Sequence, residues 1–210
     1  ASPRMITLYT FNSPNGHKAS ILLEELGLKH KVHKLDLSAG EHKAAEYLEI
    51  SPIAKIPAVV EEMPGGVRRR LFGSGAIMLH YAERAGRLIP SSADARAEAL
   101  SWFMMGVSDL GPAALDMFRF SVRAPERIPY AIDLFRGELV RCYAAMEARL
   151  ATSEYLGGAE YSIADISCYP FIAVAAAANG ELFERYPNLR RWSEQVGERP
   201  AVRRGMAAPE

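Results

Sequence analysis

The spacing of apolar residues shifts repeatedly along the first third of the chain. From Met5 to Tyr9, Ile6 and Leu8 alternate with Thr7 and Tyr9, the period of a strand with one face buried. Ala19, Leu22, Leu23 and Leu26 then recur at helical spacing, with Lys18, Glu24 and Glu25 on the opposite face. Lys31 to Leu37 reads as a second strand with Val32 and Leu35 as its apolar points, and a loop over Ser38 to His42 leads to a short helix around Ala44 to Leu48. After the proline-bearing stretch Ser51-Pro52-Ile53-Ala54-Lys55-Ile56-Pro57, a third strand runs from Ala58 to Glu61. Pro64-Gly65-Gly66 turns it back on a fourth from Arg69 to Phe72. Ser74 is placed as the N-cap of a helix through Ile77, Met78, Tyr81 and Ala82 that ends near Gly86. The predicted order is β-α-β-α-β-β-α.

Beyond Pro90 the strand period is gone. Leu100, Phe103, Met104 and Val107 keep helical spacing, and Gly111-Pro112 is expected to kink or interrupt that helix. Ile132, Phe135, Leu139, Cys142 and Met146 mark a second long helix. Ser162 to Asp165 forms a capping box, with Tyr161 and Ile166 at the staple positions. Pro187 opens what reads as the last helix, with Leu189, Trp192 and Val196 on one face. The expected division is an α/β domain over residues 5–84, a linker over 85–92 and an all-α domain over 93–210.

Composition narrows the functional classes. The 210 residues are 49% hydrophobic and 24% charged, enough for a sizeable core without staples. Basic and acidic residues number 25 each, so no general affinity for nucleic acid or an anionic membrane is indicated. Arg68-Arg69-Arg70, the one basic run, fits a solvated strand or turn. No signal peptide pattern and no membrane-spanning apolar run is seen, and the expected location is cytoplasmic. Cys142 and Cys168 make neither a redox pair nor a zinc spacing and read as buried structural thiols. The five histidines show no metal-ligand spacing, so no metal is expected.

The stretch Thr10 to Lys18 joins the first strand to the first helix. Ser13, Asn15 and Gly16 place side-chain donors and free backbone N–H groups at the positive end of a helix, where an anion is stabilised. The same residues also make an ordinary capped turn. From this stretch alone the ordinary turn is the better reading, but five stretches that are weak singly are specific together: Ser13-Pro14-Asn15-Gly16-His17-Lys18; Gly40-Glu41-His42; Ile50-Ser51-Pro52 with Lys55-Ile56-Pro57; Ser74-Gly75-Ala76-Ile77; and Leu156-Gly157-Gly158 with Tyr161 to Ile166. With them the chain resembles, over nearly its whole length, a cytosolic glutathione transferase of the nu-class type: a thioredoxin-like N-terminal domain followed by an all-α domain.

The resemblance implies glutathione as co-substrate and a homodimer. It implies that Ile56-Pro57 is a cis-proline turn whose Ile56 backbone pairs with the cysteinyl unit, a main-chain mode of peptide capture. By the same resemblance Ser74 takes the γ-glutamyl carboxylate, and Lys55 and His42 flank the peptide. Gly73 stands where relatives carry Glu or Gln, so the acceptor for the glutathione amino group is missing from this position.

The chemical task is to make a thiolate from a thiol of pKa about 8.5. One hydrogen bond to a charged group is worth roughly 1.5–3 kcal/mol. Each unit of pKa needs about 1.4 kcal/mol, so one or two donors suffice. Ser13 and Asn15 are the expected donors, and Tyr9 is the alternative. The absence of cysteine from the turn points away from the omega and beta types. The expected activity is glutathione-dependent thiol–disulfide reduction of a small disulfide. Conjugation of small electrophiles, or a non-catalytic binding module of the same fold, are the alternatives. Trp102, Met105, Met117, Phe118 and Phe120 are available to a second substrate, though most of them read as core.

Overall fold

A computed structural model describes residues 5–209. The chain divides into two compact units. One holds the described residues up to Arg87 together with those from Glu198 onward, and the other is Leu88–Gly197.

In the first unit a four-stranded sheet has the order β2-β1-β3-β4, with β1 (Met5–Thr10), β2 (Lys31–Lys34), β3 (Ala58–Glu62) and β4 (Arg68–Phe72). β2 runs parallel to β1, while β1–β3 and β3–β4 are antiparallel. Alternation along the central strands sorts side chains between two faces. Ile6, Leu8 and Val59 are buried on the face packed by helices α1 (Pro14–Glu25) and α3 (Ser74–Ala85). Glu61 falls on that same face, and its fully buried carboxylate is neutralised by Arg69 at 2.8 Å and Arg84 at 2.9 Å. Ala58 and Val60 face the other way and form a smaller core with Leu35, Ile50 and Tyr47 of the short helix α2 (Ala45–Leu48).

The second strand is shorter than expected. β2 ends at Lys34 with all four residues exposed, including Val32. It is the sheet's outer strand, and Asp36 ends it by accepting from the Ser38 and Ala39 N–H groups. The helix expected from Ser74 also starts differently. Gly73 is the N-cap and Ser74 the first helical residue, because Gly73 adopts φ 84° and ψ 126°, a conformation that glycine alone enters without strain.

The second unit is helical: α4 (Ala93–Met105), α5 (Gly111–Phe118), α6 (Pro129–Leu150), α7 (Ile163–Ala178), α8 (Leu182–Arg185) and α9 (Pro187–Gly197). The interruption expected at Gly111-Pro112 begins earlier, in a π turn over Gly106–Leu110. Pro112 cannot donate to a carbonyl of the preceding turn, and the wider turn ahead of it absorbs the missing bond. Gly106 lies so close to α7 that a Cβ would stand 2.2 Å from Ser167 Oγ. The capping box forms as read: Ser162 N–H donates to Asp165 Oδ2 at 2.9 Å. Asp165 Oδ1 also accepts from Leu156 N–H at 2.9 Å and from Trp192 Nε1 at 2.8 Å, so one carboxylate ties a loop, α7 and α9 together.

α9 is not the last helix. α10 (Pro200–Ala207) follows, and it belongs to the first unit, where it packs along α1. The all-α domain expected to run to residue 210 therefore differs from the compact helical unit, which closes at Gly197.

Candidate glutathione site

Four connections leave the sheet at one end. The C-termini of β1 and β2 lie side by side, since Thr10 pairs with Lys34. Tyr9 pairs with Ala58 and Ala58 with Phe72, so Phe11, Pro57 and Gly73 follow or precede paired residues at that same end. The Gly73 N–H donates to the Pro57 carbonyl at 3.1 Å and closes this corner. The turn bearing Ser13 and Asn15, the Ile56-Pro57 bend and the start of α3 are thus brought to one edge by strand pairing alone.

At the head of α1, Ser13 is the N-cap in extended conformation and Pro14 fills the first helical position. Both bonds of the Ser13 hydroxyl are long: it accepts from Gly16 N–H at 3.4 Å and donates to the Phe11 carbonyl at 3.5 Å. Such weakly held hydrogens are cheap to redirect toward an incoming anion. The Asn15 amide makes no hydrogen bond among the described residues, and both side chains are half-buried. Gly16 lets the turn fold back on the strand, because a Cβ there would lie 2.2 Å from the Phe11 carbonyl oxygen and 2.5 Å from Thr10 Oγ1.

The Ile56–Pro57 peptide is cis. The residue before it is pinned from below, where the Lys55 carbonyl accepts from Tyr47 Oη and Ser51 Oγ, each at 2.8 Å. Burial pushes the Tyr47 hydroxyl up to about 12, so it remains a donor at any ordinary pH. Ser74 is buried at the N-terminus of the 12-residue α3, and its hydroxyl has no bond among the described residues. His42 sits in a turn after Gly40 with its Nδ1 buried and unpartnered. Lys55 is exposed and forms no ion pair among the described residues.

Tyr9 goes elsewhere. Its ring lies on the α2 face of the sheet, 4.9 Å from His33 and 6.0 Å from Tyr47, and lines a depression of about 460 Å³ there. In the helical unit, Trp102, Met105, Met117 and Phe120 are half-buried and Phe118 is exposed, so none of the five is core. Cys142 and Cys168 form no disulfide and are buried as expected, and burial pushes the Cys142 thiol up, away from nucleophilic use. No cluster of metal-ligating side chains occurs among the described residues. Among the described residues no helix is long and apolar enough to cross a membrane.

A head-of-helix donor pair, a cis-proline bend and a buried serine opening a second helix, all at one end of a four-stranded sheet, define a thioredoxin-like domain with one candidate anion-binding edge. Family models agree: the glutathione S-transferase N-terminal domain matches residues 4–83 and the C-terminal domain matches residues 129–195. The chain belongs to the glutathione S-transferase family. It is 40% identical over 200 residues to the disulfide-bond oxidoreductase YfcG of Escherichia coli K12, covering 94% of this chain and 93% of that protein. Among solved structures it is similar to a glutathione transferase from Burkholderia graminis with two glutathione molecules bound per subunit. The TM-score is 0.91 at 33% identity, over 98% of this chain and 89% of that one. A glutathione transferase from Pseudomonas putida with one glutathione disulfide bound per subunit gives a TM-score of 0.91 at 30% identity, over 98% and 92% of the two chains.

Proposed function

We propose that this protein is a glutathione-dependent thiol–disulfide oxidoreductase in which Ser13 and Asn15 hold the glutathione sulfur as a thiolate. The observation that carries this reading is the pair of donors at the head of α1, a hydroxyl held only by long bonds and an amide with no bond among the described residues, on a turn that contains no cysteine. The nucleophile is then the bound tripeptide. Ile56 offers its backbone to the cysteinyl unit, Ser74 and the N-terminus of α3 take the γ-glutamyl carboxylate, and His42 and Lys55 lie toward the glycyl end. The similarity to a named disulfide-bond oxidoreductase, and to a relative that holds glutathione disulfide, favours reduction over conjugation.

The chemistry balances without a protein thiol. The bound thiolate attacks one sulfur of the disulfide, forms a mixed disulfide and expels the other sulfur as a thiolate, which takes up a proton. A second glutathione thiolate attacks the glutathione sulfur of that mixed disulfide. Glutathione disulfide forms and the second substrate thiol leaves, so two glutathiones are oxidised for each disulfide reduced. The active form is a homodimer, by the resemblance to its family, and should scatter light as twice 23.1 kDa.

Side-by-side turnover of a small disulfide and a chloroarene electrophile tests the reading. Disulfide reduction should dominate. Conjugation alone would establish the transferase alternative, and calorimetry showing no glutathione binding would leave the non-catalytic module, which Gly73 favours.

A further inference from the structure

His17 is a buried titratable side chain that touches the proposed thiolate turn. It projects from the first turn of α1 and is 5% exposed, with partners on both ring nitrogens. Nδ1 lies 3.0 Å from the carbonyl oxygen of Ala208, 191 residues further along the chain. Nε2 lies 3.0 Å from Oδ1 of the Asn12 side-chain amide, on the residue before Ser13. The ring therefore bridges the turn to the segment that follows α10.

The proton inventory fixes the tautomer. A carbonyl only accepts, so Nδ1 carries hydrogen toward Ala208. Burial holds the imidazole pKa below its ordinary value, so the ring is neutral at pH 7 and Nε2 presents a lone pair. The atom placed at Nε2 is Asn12 Oδ1, so with a neutral ring the pair is satisfied by turning the Asn12 amide over, which brings its NH2 to the Nε2 lone pair. Asn12 is exposed, and its side chain makes no other hydrogen bond among the described residues. The helix ahead of this anchor is tightly packed: α10 lies so close to α1 that a Cβ on Gly205 would stand 2.5 Å from the Ile21 Cα.

We propose that His17 is a positioning residue, which clamps the Asn12-Ser13 turn to the segment after α10 and so holds the Ser13 hydroxyl where the thiolate forms. The inference rests on the thiolate role given above to Ser13 and Asn15. The two long bonds of Ser13 are too weak to fix its hydroxyl by themselves. Asn12 and His17 supply the missing restraint without touching the substrate.

The test compares His17→Phe, His17→Gln and Asn12→Ala with Ser13→Ala and with the unaltered protein. The thiol pKa of bound glutathione is read from thiolate absorbance near 240 nm, alongside KM, kcat and melting temperature. Asn12 is exposed, so its variant reports even where His17→Phe folds poorly. In both Asn12→Ala and His17→Phe the bound thiol pKa should rise, and kcat at neutral pH should fall about threefold or more while KM stays within about twofold. The double variant should be no worse than the worse single one, since both remove one link. His17→Gln, with one donor and one acceptor, should recover part of the loss. A lowered melting temperature with thiol pKa and kcat unchanged would reduce His17 to a structural bond and overturn the proposal. If Ser13→Ala also left the thiol pKa unchanged, the thiolate reading would fall with it; if Ser13→Ala alone moved it, the clamp alone would be wrong.

Discussion

Replacing Ser13 with alanine separates the hydroxyl's cap bond from the thiolate contact proposed for it. As N-cap it accepts from Gly16 N–H at 3.4 Å, near the outer limit of a hydrogen bond. Loss of a cap costs about 0.5–2 kcal/mol, and a bond this long belongs in the lower half of that range. As donor to a thiolate the hydroxyl is worth roughly 1.5–3 kcal/mol, which raises the bound thiol pKa by about 1–2 units when it is gone. At neutral pH the thiolate fraction then drops about tenfold per unit. A more basic thiolate is a better nucleophile, with a Brønsted slope of about 0.4–0.5, and that returns about threefold per unit. The net fall in kcat/KM for disulfide reduction is therefore about 3–10-fold where pH lies below both thiol pKa values, and it should close and then reverse as pH rises past the new thiol pKa. Thiolate absorbance titrated with saturating glutathione, together with the pH profile of kcat/KM, reads both quantities. A deficit that stayed constant across pH, with thiol pKa unchanged, would refute the donor role and leave Ser13 as a cap.

Asn15→Ala should impair kcat more than KM and more severely than Ser13→Ala, because the Asn15 amide has no internal bond competing for its hydrogens; steady-state kinetics showing only a raised KM would contradict this. The double variant Cys142→Ser with Cys168→Ser should keep disulfide reductase activity while losing roughly 1–3 kcal/mol of stability per buried hydroxyl, measured by urea unfolding; loss of activity in a folded double variant would put a protein thiol in the cycle. Burial pushes Asp165 up to about 6, so its contribution to stability is fully present below its unfolded value of 3.8 and is lost as pH rises through about 6. The stability difference between unaltered protein and Asp165→Asn should accordingly shrink by up to about 3 kcal/mol between about pH 4 and about pH 7, and a pH-independent difference would show that the three N–H donors offset burial. Gly16→Ala should cost about 1–3 kcal/mol and most of the activity, since its methyl would displace the Phe11 carbonyl; retention of both would mean the turn is softer than its packing implies.

What was legible in the sequence is what local periodicity encodes. Ile6 and Leu8 at period two, and Leu22, Leu23 and Leu26 at helical spacing, placed the order β-α-β-α-β-β-α, because each pattern is buried against one face. Ser162 and Asp165 announced their box for the same reason, being three residues apart. The misses depend on contacts between distant segments. β2 lacks its expected pattern since an outer strand has no second neighbour, so Val32 stays exposed while Leu35 is buried only past the strand's end. α10 carried a signal in Pro200 at a helix start, yet its short run Ala201, Val202 and Gly205 means little until Ile21 is set against it. The role argued for His17 needs Ala208 and was invisible in the motif that contains it. Donors at the head of α1 were readable from residue types, while the length of the Ser13 bonds was not.

Gly73 ties these threads together, because one backbone conformation both starts α3 and empties a place in the site. With φ at 84°, a non-glycine residue there carries strain of about 1–3 kcal/mol, and the open space around a would-be Cβ does nothing to relieve it. An acidic side chain at this position would gain roughly 1.5–3 kcal/mol with the amino group of bound glutathione, about the same amount. The two terms nearly cancel across the folding and binding equilibria: the acid tightens the ligand and loosens the fold, and glycine does the reverse. Glycine therefore shifts free energy from ligand capture into the corner formed by Gly73 N–H and the Pro57 carbonyl, the same corner that sets Ser74 beside Ile56. A thiolate enzyme tolerates that exchange, since weaker uniform binding raises KM and leaves kcat alone. The rate then depends on how well the turn at Ser13 is held, which is where the His17 bridge acts.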